Sequence, residues 1–193
     1  YLSDINRDCA AKDYCDYFYE IDINNFEKTA ELAIRLSNEN KISGVYTQGT
    51  DAEYTVAYAA EKAGLFSIGS KIARCCKNKA LMRSALKNGG VENVNFESVS
   101  TIEECKIAAK KIGYPLYIKP TDNSASRGIS KVNNESELDE SFNDAKKALL
   151  TETDILLESE IIGTEHSVDT VIFDGVLYPA GISDRVFLEK NTF

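Results

Sequence analysis

Along the chain, short β-prone runs alternate with stretches whose apolar residues recur every three or four positions. Leu2 lies in the end of one such run, Tyr1–Asp4, and Phe18–Ile21 is a second. Asn24, followed three residues later by Glu27, offers a cap for a helix with Phe26, Ala30, Ala33 and Ile34 on one side. Gly44–Thr47 reads as a buried strand, with Gly49-Thr50-Asp51 turning at its carboxyl end. The next helix sets Val56, Ala60 and Ala63 in register and stops at Gly64. Leu65–Ile68 is a further strand, and a basic helix runs from about Lys77 to Lys87 before Gly89-Gly90. Strands separated by helices of this length predict a parallel sheet with helices on its faces. Ligands of such sheets collect beyond the carboxyl ends of the strands, where the 49–51 turn falls.

Past Gly90 the pattern changes. Ser100 with Glu103 forms a capping box for a helix whose stripe is Ile102, Cys105, Ala108 or Ala109, and Ile112. Leu116–Lys119 and a run around Ile129–Val132 read as strands flanking a polar loop. Leu138, Phe142, Ala145 and Leu149 mark a second helix. Ile155–Glu158, Ser167–Phe173 and Val176–Tyr178 are strands, the last two joined through Asp174-Gly175, a hairpin signal. This half reads as α+β. The expected boundary therefore divides the chain into residues 1–90 and 91–193.

Composition narrows the function. The 193 residues carry 31 acidic and 22 basic side chains, a net charge of −9 that disfavours nucleic acid and anionic lipid as partners. No apolar run approaches the roughly 18 residues of a membrane span. A single histidine, His166, excludes zinc sites built on several histidines. Five cysteines without C-x-x-C or framework spacing predict reduced thiols and a cytoplasmic protein. The start at Tyr1, with neither Met nor a signal sequence, reads as a missing beginning.

Candidate chemistry concentrates in Gly113-Tyr-Pro-Leu-Tyr-Ile-Lys-Pro120 and the following Thr121–Ile129, a Ser/Arg/Gly loop. Strand alternation puts Tyr117 and Lys119 on the face opposite Leu116 and Ile118. A lysine at a strand end supplies a point charge for phosphate, and the loop supplies directed N–H and hydroxyl donors. The P-loop pattern is absent. Taken alone, this stretch reads as an ordinary polar hairpin loop more often than as a nucleotide site.

Order adds information. Asn78-Lys-Ala-Leu-Met-Arg83 opens a helix and precedes the Tyr-Pro-Leu-Tyr-Ile-Lys strand with its loop. Leu156-Leu-Glu-Ser-Glu-Ile-Ile162 and Gly163-Thr-Glu-His-Ser-Val-Asp169 follow. The series resembles the ATP-grasp superfamily, the fold of biotin carboxylase, the carbamoyl-phosphate synthetase large subunit and D-alanine–D-alanine ligase. The resemblance implies a Rossmann-like pre-ATP-grasp α/β domain lacking its first strand, over 1–90. Over 91–193 it implies an α+β ATP-grasp half: the N-terminal subdomain, the hinge and the start of the C-terminal subdomain.

The same resemblance assigns roles. Lys79 matches the helix residue that reaches an ATP phosphate, and Lys119 matches the strand lysine that bridges phosphates. Ser124, Ser126, Arg127 and Gly128 belong to the loop that closes over the β- and γ-phosphates, with Ala125 where relatives usually place glycine. Glu158, Ser159, Glu160 and Ile161 match the hinge whose backbone reads adenine, and Glu165 matches the ribose acceptor. The Mg²⁺ ligands of the family are expected beyond Phe193. Without the resemblance, Lys79 is a solvated helix lysine, Glu158 and Glu160 face water along an edge strand, Ile161 is core and His166 a satisfied strand residue.

The implied activity is ATP-dependent ligation of a small-molecule carboxylate to an amine or thiol through an acyl phosphate. Residues 1–193 alone are expected to be inactive, and an uncovered sheet edge leaves room for a homodimer. An ATP-binding module without turnover is the alternative from another class. A carboxylase or kinase is a weaker third.

Overall fold

The computed structural model describes residues 1–92 and 94–186. The chain divides into two units, Tyr1–Asn93 and Val94–Phe193.

In the first unit, β1 (Leu2–Asp4) and β2 (Phe18–Glu20) pair in parallel, with Ser3 opposite Tyr19. Helix α1 (Phe26–Asn38) follows. Its cap is Asn25 rather than Asn24, the Asn25 side chain accepting the Lys28 N–H. Ala30, Ala33 and Leu36 form its buried stripe, and Ile34 turns outward, a helical step of 100° away from Ala33. Helix α2 (Glu53–Lys62) lays Ala59 against Ala30 and Ala33, small side chains that admit close approach. Phe26 meets the Tyr54 and Tyr58 rings edge-on at 5.3 and 5.0 Å.

Two expected strands do not form. Residues 44–47 and 65–68 belong to no ladder, so among the described residues the parallel sheet of this unit is the β1–β2 pair alone. The expected basic helix is preceded by another: α3 (Ser70–Lys77) ends at Asn78, whose side chain then caps α4 (Lys79–Asn88) by accepting the Ala80 and Leu81 N–H groups.

The second unit is built on an antiparallel sheet of order β3-β6-β4-β5. Its strands are β3 (Phe96–Val99), β4 (Leu116–Pro120), β5 (Ser130–Val132) and β6 (Ile155–Ser159). Strand β3 has no counterpart in the sequence reading; at four residues with a Glu and a Ser it carries little periodicity. Helix α5 (Ile102–Ile112) is capped by Thr101 with Glu104, one residue later than Ser100 and Glu103. Helix α6 is Leu138–Lys147.

Both helices bury their stripes on one sheet face. Cys105, Ala108, Leu138, Phe142 and Ala145 pack with Val99, Leu116, Ile118, Val132, Ile155 and Leu157. The hairpin of β7 (His166–Phe173) and β8 (Val176–Asp184) forms a separate two-stranded sheet, exposed along nearly its whole length.

Candidate functional site

With one face of the four-stranded sheet packed on helices, alternation sends the remaining side chains to the other. Phe96, Glu158, Tyr117 and Lys131 are successive cross-strand partners, so they form one row on that face. Lys119 follows Tyr117 by two positions and joins them. The expected placement of Tyr117 and Lys119 opposite Leu116 and Ile118 is what the structure has.

Lys119 Nζ donates to Glu158 Oε2 at 2.5 Å and sits 5.5 Å from the centre of the Tyr117 ring. Glu158 is only 4% exposed and lies on β6, an interior strand; it does not face water along an edge. A carboxylate this buried requires a charged partner, and Lys119 is that partner. Lys131 pairs with Glu160 at 2.5 Å, a contact that raises the Lys131 pKa. Two lysines and two glutamates thus line one sheet face.

The loop after Lys119 is anchored at its base. Thr121 donates its hydroxyl to the Asp154 carbonyl, and the Asp122 carboxylate accepts the N–H groups of Leu150 and Thr151 and the Thr151 hydroxyl. Asn123 donates to the Ala148 carbonyl and accepts the Ser124 N–H. Gly128 has φ +71° and presses on α6 so closely that a Cβ would run into Ala148. The tip, Ala125 and Ser126, is exposed and left-handed at φ +55° and +56°. Arg127 folds back to donate to the Ser124 carbonyl oxygen and hydroxyl.

At the opposite end of β4 the chain leaves β6. Ser159 donates its N–H to the Asn95 carbonyl and accepts the Asn95 N–H on its hydroxyl; Glu160 N–H reaches the Pro115 carbonyl. Ile161 is 70% exposed, which removes it from the core. Glu165 forms an ion pair with Arg185, and His166 bonds Thr164 and Asp184 at the base of the hairpin. Lys79 lies in the first unit, in the opening turn of α4, half-buried.

The structure therefore gathers Lys119, the 124–128 loop and residues 158–160 around one strand. Sequence reasoning missed Lys131 and Phe96 as members of this face. Period-two alternation between Ser130 and Val132 carried the signal for Lys131. Phe96 needed β3. Among the described residues no three acidic, histidine or cysteine side chains converge as a metal site.

Residues 112–193 match the ATP-grasp domain family. The chain is 26% identical over 180 residues to the alanine–anticapsin ligase of Bacillus subtilis strain 168, an alignment covering 82% of this chain and 38% of that enzyme. Among solved structures, it is similar to the biotin carboxylase domain of Hydrogenobacter thermophilus 2-oxoglutarate carboxylase, a dimer in complex with MgADP, ADP and bicarbonate. There the identity is 29% and the TM-score 0.66, over 89% of this chain and 41% of that one. The ADP complex of N5-carboxyaminoimidazole ribonucleotide synthetase shares the fold at TM-score 0.76 and 17% identity, over 96% of this chain and 47% of that one. The chain thus spans less than half the length of each of these proteins.

Proposed function

We propose that this chain is the nucleotide-binding part of an ATP-dependent carboxylate–amine ligase. The observation that carries the reading is the layout along β4. Lys119 and the donor-rich loop lie at its carboxyl end, and the backbone of Ser159 and Glu160 lies beside Pro115 and Leu116 at its amino end. Four residues of strand separate the two, about 14 Å at the antiparallel rise. That suits a nucleotide laid along the open face, with phosphates at the loop and base at the chain turn after β6. The names of its relatives, a ligase and two ADP-bound enzymes, support the same reading.

In this reading Lys119 exchanges part of its bond to Glu158 for phosphate oxygens, and the Ser124–Gly128 backbone and hydroxyls supply directed donors. A substrate carboxylate oxygen bonds to the γ-phosphorus as the bond to the β,γ-bridging oxygen breaks, releasing ADP. An amine then attacks the acyl carbon and phosphate leaves. These residues contribute positioning and charge neutralisation. Glu165 accepts from the ribose hydroxyls once it releases Arg185. The setting is cytoplasmic, in keeping with five free thiols.

Calorimetry with an ATP analogue tests the site. Binding should weaken by about 1.5–3 kcal/mol in Lys119→Ala, the loss of a charge-assisted contact. Binding of 2′,3′-dideoxy-ATP should be poorer than that of ATP, with the difference shrinking in Glu165→Ala. Equal affinity of folded Lys119→Ala and wild type returns Lys119 to a structural role.

A further inference from the structure

The sheet order places β4 between β6 and β5, yet one ion pair reaches from one side of it to the other. Lys131 stands on β5 opposite Tyr117, and Glu160 follows the end of β6, where its N–H reaches the Pro115 carbonyl. Neighbouring strands are about 4.8 Å apart, so the two backbones are separated by roughly twice that distance. The side chains close the gap, with Lys131 Nζ 2.5 Å from Glu160 Oε1. They meet above β4 on the open face, because Lys131 alternates with Val132, which is buried under the helices. The pair is therefore a bar across the amino end of this face, with half-buried Tyr117 between it and Lys119 along the strand. Lys131 engages only one oxygen of Glu160, and Oε2 accepts no hydrogen bond among the described residues. A carboxylate held in place with one oxygen to spare is an acceptor set for an N–H group.

We propose that the Glu160 side chain selects the purine by accepting the exocyclic amino group of adenine, with Lys131 as the positioning residue that holds its carboxylate across β4. The assignment rests on the proposed nucleotide site and adds the side chain that chooses the base. With phosphates at Lys119 and its loop, the edge of the purine remote from the sugar comes to the bar, which crosses β4 between two and four residues away, about 7–14 Å. That edge carries an amino group in adenine and a carbonyl oxygen in hypoxanthine and guanine. A carboxylate oxygen accepts from the first and repels the second, and a site built around an acceptor rejects a ligand that lacks the donor. Lys131 neutralises the carboxylate enough to keep it half-buried and fixes its direction. Stability alone gives little reason for the pair, since partly exposed ion pairs contribute little to it.

The test compares ATP with inosine triphosphate, which carries a carbonyl oxygen in place of the amino group. Each is titrated as its Mg²⁺ complex into the 193-residue chain, and the dissociation constants are read from amide shifts at Lys119 and 124–128. The wild type should bind ATP about tenfold more tightly, the worth of one hydrogen bond made against one refused. Glu160→Gln, whose amide can turn to donate as readily as to accept, should bring the ratio below about threefold. Lys131→Met should lower the ratio as well, and Lys131→Arg should restore it, a rescue of selectivity that a merely structural pair would not show. A wild-type ratio near one overturns the assignment, and so does an unchanged ratio in folded Glu160→Gln. Binding that depends on Lys119 while the ratio ignores Glu160 overturns this role alone and leaves the nucleotide site standing. Absence of binding by either nucleotide overturns both.

Discussion

Replacing Lys119 with methionine keeps a linear apolar stem against Tyr117 and removes the ammonium from Glu158. The pair is 2.5 Å long, and the Glu158 side chain keeps 5% exposure against 23% for Lys119. At an effective dielectric of roughly 20, two charges at that separation attract by about 7 kcal/mol. Desolvation and side-chain ordering offset most of this, and truncating one member of a buried pair costs about 3–5 kcal/mol because the other charge is left stranded. Water still reaches the lysine head, which relieves part of the stranding, so we expect Lys119→Met to cost the second unit about 2–3 kcal/mol. Glu158→Gln in the same chain removes the stranded charge and should restore at least about 1 kcal/mol, a non-additivity measurable in a double-mutant cycle. Native-state hydrogen exchange at Ile118 and Leu157, at the centre of the sheet, reads the opening free energy of this unit directly. A loss under about 0.5 kcal/mol in Lys119→Met, or additivity in the double variant, refutes the assignment of Lys119 as the counter-charge that keeps Glu158 buried.

Ala125→Gly should raise the stability of the second unit by about 0.5–1 kcal/mol, because the left-handed strain of alanine exceeds the added chain entropy of glycine; denaturant titration checks it. Burial pushes the Cys105 thiol up to about 11 from 9.0. The folded state then holds the thiol proton where the unfolded state has lost it, so this group makes stability fall as pH rises from about 9 to 11. Cys105→Ala should flatten that alkaline limb, and in the wild type iodoacetamide at neutral pH should label exposed Cys76 well before Cys105.

The second unit was largely legible from the sequence because its elements carry their own signals. Alternation placed Tyr117 and Lys119, and helical spacing placed Cys105 and Phe142. Asp174-Gly175 marked the hairpin turn between β7 and β8. What escaped needed tertiary information. Phe96–Val99 is a strand only because β6 pairs with it, and Glu158 is buried only because β3 makes β6 interior. In the first unit, residues 44–47 and 65–68 have strand composition but no ladder, since a strand is defined by its neighbour as much as by its residues. The capping boxes slipped by one residue because Asn24 and Asn25, and Ser100 and Thr101, are chemically competent in either position.

The central claim is that a nucleotide lies along β4 on the open face of the sheet. A titration of the isotopically labelled chain with the Mg²⁺ complex of a non-hydrolysable ATP analogue, followed by two-dimensional NMR, tests it most directly. The account predicts weak binding with shifts concentrated at Lys119, at 124–128 and at 158–161, while α5 and α6 stay unchanged. Shifts absent from those three stretches at millimolar nucleotide, or confined to the first unit, contradict it.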